Sequence, residues 1–281
     1  MEHTVLNVGL IGLGEVAQVV HLPVLQSLPQ YYRIAALCDV SPKLLRHIGE
    51  QYRVERLYTD MNELVRQEDL DVVFVLNSDE YHADCAIAAA NEKKHVLIEK
   101  PMCLTFAEAD AIIEARDRNE VQIMVGYMRR YAPSFVQAVK EIGGIREIGY
   151  ARIRDIIGPN GFFIRQSSHT VSFDDIPEPV KTDRKQRAER LGQEATGLAP
   201  DHSLFGFYRF LAGLGSHDLS AMREAIGMPS SVIGAKLAMQ PGSMFLNAIF
   251  DYGPSRSLMR RAAISRAALM RMWKCTAAAN R

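Results

Sequence analysis

The stretch Val8-Gly9-Leu10-Ile11-Gly12-Leu13-Gly14-Glu15-Val16-Ala17 decides how this chain is read. A short apolar run ends in Gly12-x-Gly14-x-x-Ala17, and a helical pattern follows. Gly12 permits a tight turn, Gly14 lets the backbone approach a pyrophosphate, and Ala17 is small enough for close helix–strand packing. The helix N-terminus offers N–H donors and positive dipole to phosphates. Glu15 and Val16, in the same motif, are assigned to that site with the glycines. Asp39 ends the next apolar run, 22 residues beyond Ala17. There a carboxylate can accept hydrogen bonds from the adenosine ribose hydroxyls. It favours NAD, because a carboxylate repels a 2′-phosphate; NADP is the other option. No arginine follows directly, since Val40-Ser41-Pro42 come next and Arg46 is the nearest basic candidate. The plainer alternative is a purely structural strand-to-helix turn.

Outward from this motif, short β-branched runs alternate with helical stretches as far as about Tyr127. Val5–Ile11, Arg33–Asp39, Asp71–Leu76, His95–Ile98 and Val121–Gly126 read as buried strands. Glu80–Glu92 and Thr105–Asn119 have helical spacing, and Thr105-Phe106-Ala107-Glu108 is a capping box. Near-continuous apolar strands alternating with helices mean a parallel sheet covered on both faces.

Ala132–Ile142 is helix-like and ends at Gly143-Gly144, after which Arg146–Ile157 reads as a strand opening a second sheet. Gly158–Asp201 is rich in charge, glycine and proline, and reads as a long excursion with one polar helix around Lys185–Gly192. Ser216–Ile226 reads as a helix, and Ser231–Met239 with Met244–Tyr252 as a strand pair. From Pro254 to Arg281 there are seven basic residues and no acidic one. The fold class expected is therefore α/β. A Rossmann doubly wound parallel sheet spans residues 1–127. A shortened, incomplete α/β open-sheet substrate domain spans 128–253, and a basic tail of unassigned structure spans 254–281.

Composition bounds the rest. At 281 residues the chain can bury a sizeable core without disulfides or a structural metal. Its formal net charge of zero argues against a protein built as a whole to bind nucleic acid. Cys38, Cys85, Cys103 and Cys275 form no C-x-x-C pair, so no metal site is expected. There is no basic leader and no apolar run near the ~20 residues of a membrane span. The expectation is a cytoplasmic protein with a small-molecule partner, no nucleic acid and no membrane.

Glu99-Lys100-Pro101 after the fifth strand, the N-terminal glycine fingerprint and Gly215-Ser216-His217 before a helix together resemble the Gfo/Idh/MocA oxidoreductases. His21-Leu22-Pro23, Asn77 with His82, and Gly126-Tyr127-Met128-Arg129-Arg130-Tyr131 add to the resemblance, which covers residues 5–252. It implies a Rossmann domain followed by an α/β domain with a large open sheet. The nicotinamide would lie between them and the substrate would be a sugar, polyol or related carbonyl compound. It further implies that Lys100 hydrogen-bonds the reacting oxygen and helps move its proton. Glu99 and Pro101 would place that lysine, and His217 would act as acid/base or orienting group. Asn77, His82, Glu99 and Arg129 join the cofactor set on the same ground. Below the resemblance, Lys100 also reads as a surface lysine before a turn, His217 as a helix cap, and Arg129 as part of a charged helix entrance. His82, His169 and His202 read as lining the cleft or, equally well, as solvated loop residues.

Two positions depart from the pattern. In many relatives an aspartate sits four residues before the histidine, where this chain has Gly213. The family's second domain continues through several more strands, whereas here Phe250-Asp251-Tyr252-Gly253 runs into an Arg/Ala/Met-rich stretch. That junction reads as a truncation or an altered reading frame, with a basic amphipathic helix as the alternative. Relatives often pair through the second-domain sheet, so a homo-oligomer is not supported by a curtailed one. The function expected is hydride transfer between NAD(P)(H) and a small hydroxylated or carbonyl molecule. Its rival is a non-catalytic nucleotide-sensing or regulatory protein on the same scaffold, a reading that Gly213 feeds.

Overall fold

A computed structural model describes residues 4–143, 145, 148–156, 160–240, 243–253 and 260–266. The expected alternation is realised as β1 (Leu6–Ile11), β2 (Tyr32–Cys38), β3 (Leu57–Tyr58), β4 (Val72–Val75), β5 (His95–Ile98) and β6 (Ile123–Val125). All pair in parallel, in the order β3-β2-β1-β4-β5-β6. The order reverses between β1 and β4, which opens a crevice at the carboxyl ends of the strands.

Side chains alternate across the sheet, and both faces are buried. On one face Val8, Leu10, Leu37 and Phe74 pack against Leu22 and Leu25 of α1 (Leu22–Ser27) and Leu44, Leu45 and Ile48 of α2 (Pro42–Tyr52). On the other, Val73, Val75, Val96 and Ile98 meet Leu64 and Val65 of α3 (Met61–Val65) and the alanines of α4 (His82–Asn91). Ile112 of α5 (Phe106–Asn119) completes that face. Burial on both sides is why these strands read as apolar runs rather than alternating ones. The capping box of α5 forms as its sequence predicts. Thr105 Oγ1 accepts from the Glu108 amide at 3.1 Å, and Glu108 accepts from the Thr105 amide at 3.1 Å.

The chain divides into two compact units, and the division is not the single boundary near residue 127. The first unit joins Met1–Gly126 to Ser168–Gly213; the second joins Tyr127–Ser167 to Leu214–Arg281. Gly158–Asp201 is also more regular than expected. It holds α7 (Asn160–Ser167) and α8 (Glu178–Thr196), a helix of 19 residues. Only Leu191 and Gly192 of α8 are buried, so hydrophobic periodicity gave little sign of it. Ion pairs and one tight contact hold α8 to the first unit instead. Arg187 reaches Asp84 at 2.5 Å and Asp183 at 2.9 Å, and the Tyr81 hydroxyl donates to Asp183 at 2.7 Å. A Cβ on Gly192 would lie 2.5 Å from the ring of Phe205, which opens α9 (Phe205–Phe210).

In the second unit, α6 (Pro133–Gly143) and α10 (Ser216–Ile226) accompany a four-stranded sheet of order β7-β10-β9-β8. Its strands are β7 (Arg152–Ile156), β8 (Ser231–Gln240), β9 (Ser243–Asp251) and β10 (Arg260–Arg266). The basic stretch beyond Gly253 is thus not merely a tail. Its residues 260–266 lie between β7, in parallel, and β9, antiparallel. The remainder, 254–259 and 267–281, lies outside the described residues. Ala151, Ile153, Ala248, Phe250 and Tyr252 pack against Met222 and Ile226 of α10 to form this unit's core. Among the described residues, no helix is long and apolar enough to cross a membrane.

Candidate active site

The glycine turn leaves β1 with two glycines in different situations. Gly12 has φ +91°, and a Cβ there would lie 2.5 Å from both the amide nitrogen and Cα of Asn77. A side chain is excluded there by the positive φ and by the backbone following β4. Gly14 is exposed, and a Cβ on it would meet nothing within 4 Å. It borders open space at the start of a helix whose Ala17 is fully buried. The Asp39 carboxylate accepts from the Leu13 amide at 2.8 Å through one oxygen and from the Ser41 amide at 2.8 Å through the other. Burial raises its pKa above the usual carboxylate value, although those two amides act in the opposite direction. Asn77 donates to Cys85 Sγ at 3.3 Å, while its buried Oδ1 has no hydrogen-bond partner among the described residues. The open cradle at Gly14, the carboxylate at the end of β2 and the orphaned Asn77 oxygen together fit a dinucleotide at the strand ends.

Lys100 follows β5 at the same end of the sheet, and its peptide bond to Pro101 is cis. Four contacts fix this turn. Glu99 Oε2 accepts from the Lys100 amide at 3.0 Å, and Glu99 Oε1 meets His21 Nε2 at 2.8 Å. His82 Nδ1 lies 2.7 Å from the Pro101 carbonyl, while its Nε2 lies 3.1 Å from the Asn77 carbonyl. Burial would push the Glu99 carboxyl up, but His21 and the Lys100 amide outweigh it and hold it below its ordinary value. The Lys100 ammonium donates to the carbonyl of Gly213 at 2.8 Å. Gly213, where the sequence departs from the expected pattern, therefore touches the lysine through its backbone. A Cβ at Gly213 would meet nothing within 4 Å.

His217 belongs to the second unit. It is 5% exposed near the start of α10, and its ring meets the Tyr127 ring edge-on at 6.1 Å. Beside it, Arg129 Nη1 donates to Asp218 at 2.8 Å and to Asp155 at 3.3 Å, both carboxylates being 2% exposed. Burial, reinforced by the hydrogen-bonded Asp155, pushes the Asp218 carboxyl up to about 8, although Arg129 opposes it. A cavity of about 330 Å³ opens nearby, bordered by Tyr127, Ser216, Ser220, Arg223 and Phe250. Among the described residues, no three His, Cys, Asp or Glu side chains are grouped to hold a metal.

The sequence profile of the Gfo/Idh/MocA family, described as an oxidoreductase family with an NAD-binding Rossmann fold, matches residues 6–127. Those residues are a Gfo/Idh/MocA Rossmann domain. Inositol 2-dehydrogenase of Salmonella paratyphi B is 34% identical over 146 residues, which are 51% of this chain and 43% of that protein. Myo-inositol 2-dehydrogenase of Thermotoga maritima is 33% identical over 166 residues, 58% of this chain and 49% of that one. The matches thus span less than half of these relatives. The fold extends further. Scyllo-inositol dehydrogenase from Lactobacillus casei, solved with NAD(H) and scyllo-inositol, superposes with a TM-score of 0.70 at 18% identity. That superposition covers 96% of this chain and 72% of the other.

Within the Gfo/Idh/MocA domain, the structure gathers Gly12, Gly14, Glu15, Val16, Ala17, Asp39, Asn77, Glu99 and Lys100 at the carboxyl end of one sheet. Two residues expected in the cofactor set have these partners within the protein. His82 is 1% exposed, and both ring nitrogens face backbone carbonyls, so it braces the turn that carries Lys100. Arg129 is engaged with two buried carboxylates in the second unit. Sequence reading missed His21 as the partner of Glu99, and Asp155 with Asp218 as the partners of Arg129. A paired acid and base far apart in sequence leave no local signal; the His217-Asp218 adjacency was the one available clue.

Proposed function

We propose that this chain binds NAD(H) at the Gly12–Ala17 turn and Asp39, and transfers hydride to or from a polyol, sugar or related carbonyl compound. The bound nicotinamide supplies the hydride acceptor or donor. The chain's residues do the rest. The glycine turn and helix N-terminus hold the pyrophosphate, and Asp39 accepts from ribose hydroxyls. Lys100 Nζ takes or returns the proton of the reacting oxygen, since a carbinol carbon releases hydride only as its hydroxyl proton leaves. Glu99, His21 and His82 keep the turn that carries Lys100 in place. In the second unit His217 is the proposed orienting group. The names of the inositol dehydrogenases set the substrate class to be tried first.

The observation that carries this reading is Lys100. It stands at the carboxyl end of β5, on a turn fixed by four separate contacts, a half-buried residue whose ammonium is directed at a carbonyl. One feature favours the nucleotide-sensing alternative: Gly213 offers Lys100 a carbonyl where a carboxylate would share its proton. Titration with NADH, followed by NAD⁺ reduction over a panel of inositols, sugars and sugar alcohols, separates the two. Binding with turnover of at least one polyol supports the enzyme. Binding with no turnover across the panel supports the sensor.

A further inference from the structure

The turn from β2 into α2 is held by two carboxylates, and only Asp39 belongs to the Gly12–Asp39 motif. Ser41 caps α2: its hydroxyl accepts from the Leu44 amide at 3.1 Å and donates to Asp175 Oδ1 at 2.5 Å. Asp175 Oδ2 accepts from the Lys43 amide at 2.8 Å. Asp175 arrives from the returning segment of the first unit, 133 residues after Pro42 in the sequence. That segment is anchored twice more. The Gln18 amide group pairs with both backbone groups of Val171, at 3.0 Å and 2.8 Å, and the Phe173 ring meets His47 of α2 edge-on at 6.2 Å. Its anchors thus run from the helix after the glycine turn to the first turns of α2. The proximity of the two carboxylates is felt at Asp39, where Asp175 adds to the upward pressure of burial.

In a Rossmann site the acid ending the second strand holds the ribose hydroxyls, and a 2′-phosphate would project beyond it toward the next helix. The donors such a phosphate would use there are the hydroxyl and amides at the helix N-terminus. In this chain the Ser41 hydroxyl and the Lys43 amide are already committed to a carboxylate. We infer that Asp175 is a specificity-determining residue: its carboxylate stands in for a 2′-phosphate at the start of α2 and, with Asp39, excludes NADP(H). The inference rests on the dinucleotide reading above. It assigns cofactor choice partly to a residue outside the glycine-to-acid motif, where the rule for the second strand does not look.

The test is equilibrium titration of the full chain with NADH and NADPH, as unmodified protein, Asp175→Asn and Asp175→Ala, with thermal melts as a folding control. Competition by adenosine 2′,5′-bisphosphate against 5′-AMP isolates the 2′ position. Asp175→Asn keeps the side chain's size and one acceptor, so it guards against a loss of folding in the alanine variant. Removing one unit charge a few ångströms from a phosphate should tighten NADPH and the bisphosphate by about 10-fold or more. NADH and 5′-AMP should change by less than about 3-fold, because the ribose contacts of Asp39 remain. If NADH binds all three proteins and NADPH affinity does not rise in either variant, Asp175 is only a tether for its segment and the inference is overturned. If the unmodified protein binds neither dinucleotide, the cofactor reading itself falls, and the inference with it.

Discussion

Gly12 and Gly14 are two residues apart, yet their replacement should fail in opposite ways. At Gly12 an alanine must adopt φ +91° and place its Cβ 2.5 Å from the Asn77 backbone. A side chain held in a sparsely populated region costs about 1–3 kcal/mol. Overpacking against atoms that cannot rotate aside adds about 1–3 kcal/mol. The expected loss for Gly12→Ala is therefore roughly 2–6 kcal/mol, a large share of the ~5–15 kcal/mol that stabilises a domain. The Cβ of Gly14→Val would meet nothing within 4 Å among the described residues, and its position has no positive φ. Its unfolding transition should stay within about 0.5 kcal/mol of the parent. Its NADH affinity should fall roughly 100-fold or more, because the branched side chain fills the space meant for the pyrophosphate. Urea unfolding followed by far-UV circular dichroism gives the first quantity, and NADH fluorescence titration the second. A loss below about 1 kcal/mol for Gly12→Ala would refute the packing argument. Unchanged NADH affinity in Gly14→Val would show that the cradle is not a nucleotide site.

Further outcomes follow from the second unit. Asp218 has a native pKa pushed up to about 8 from 3.8, so the folded state keeps a proton that the unfolded chain has released. Its stabilising effect is complete below the unfolded value and is lost as pH rises toward the native one. Asp218→Asn has no such proton to lose, so from pH 5 to 8 its stability should gain on the parent by up to about 1.4 kcal/mol per unit. A difference constant with pH would contradict the raised carboxyl of Asp218. Deleting residues 254–281 removes β10 from between β7 and β9. That deletion should lower the melting temperature of the second unit while NADH affinity, carried by the first, stays within about 3-fold of the parent. A large loss of NADH affinity would mean that the deleted stretch supports the nucleotide site.

How much of this was legible in the sequence depends on the range of the forces involved. The strands β1, β4 and β5 and the capping box of α5 are set by local patterns of apolar residues and backbone donors, and all were readable. The strand β3 has two residues, too few for any period to register. Helix α8 has almost no apolar face, and its ion pairs with Asp84 and its link to Tyr81 join residues about a hundred positions apart. The same long-range contacts return Ser168–Gly213 to the first unit, so the division of each unit into two chain segments left no local signal either. The strand β10 reads Arg260-Arg261-Ala262-Ala263-Ile264-Ser265-Arg266, with one strong β-former among small and charged residues. At the candidate site, motif order was enough to expect the glycines, Asp39 and Lys100 near the strand ends, where the fold has them. The partners of His82 were not legible, because its two carbonyls come together only once β4 and β5 lie side by side.

The measurement closest to the central claim is steady-state and single-turnover kinetics of Lys100→Met on the best substrate of the polyol panel. Methionine keeps much of the length of lysine but has no proton to give or take. NADH affinity should remain within about 3-fold of the parent, since pyrophosphate and ribose are held elsewhere. Turnover should fall roughly 100-fold or more, with the fall in kcat at least as large as any rise in KM. Near-normal turnover by Lys100→Met would contradict the assignment of Lys100 as the proton-handling residue, and with it the mechanism built on the Glu99-Lys100-Pro101 turn.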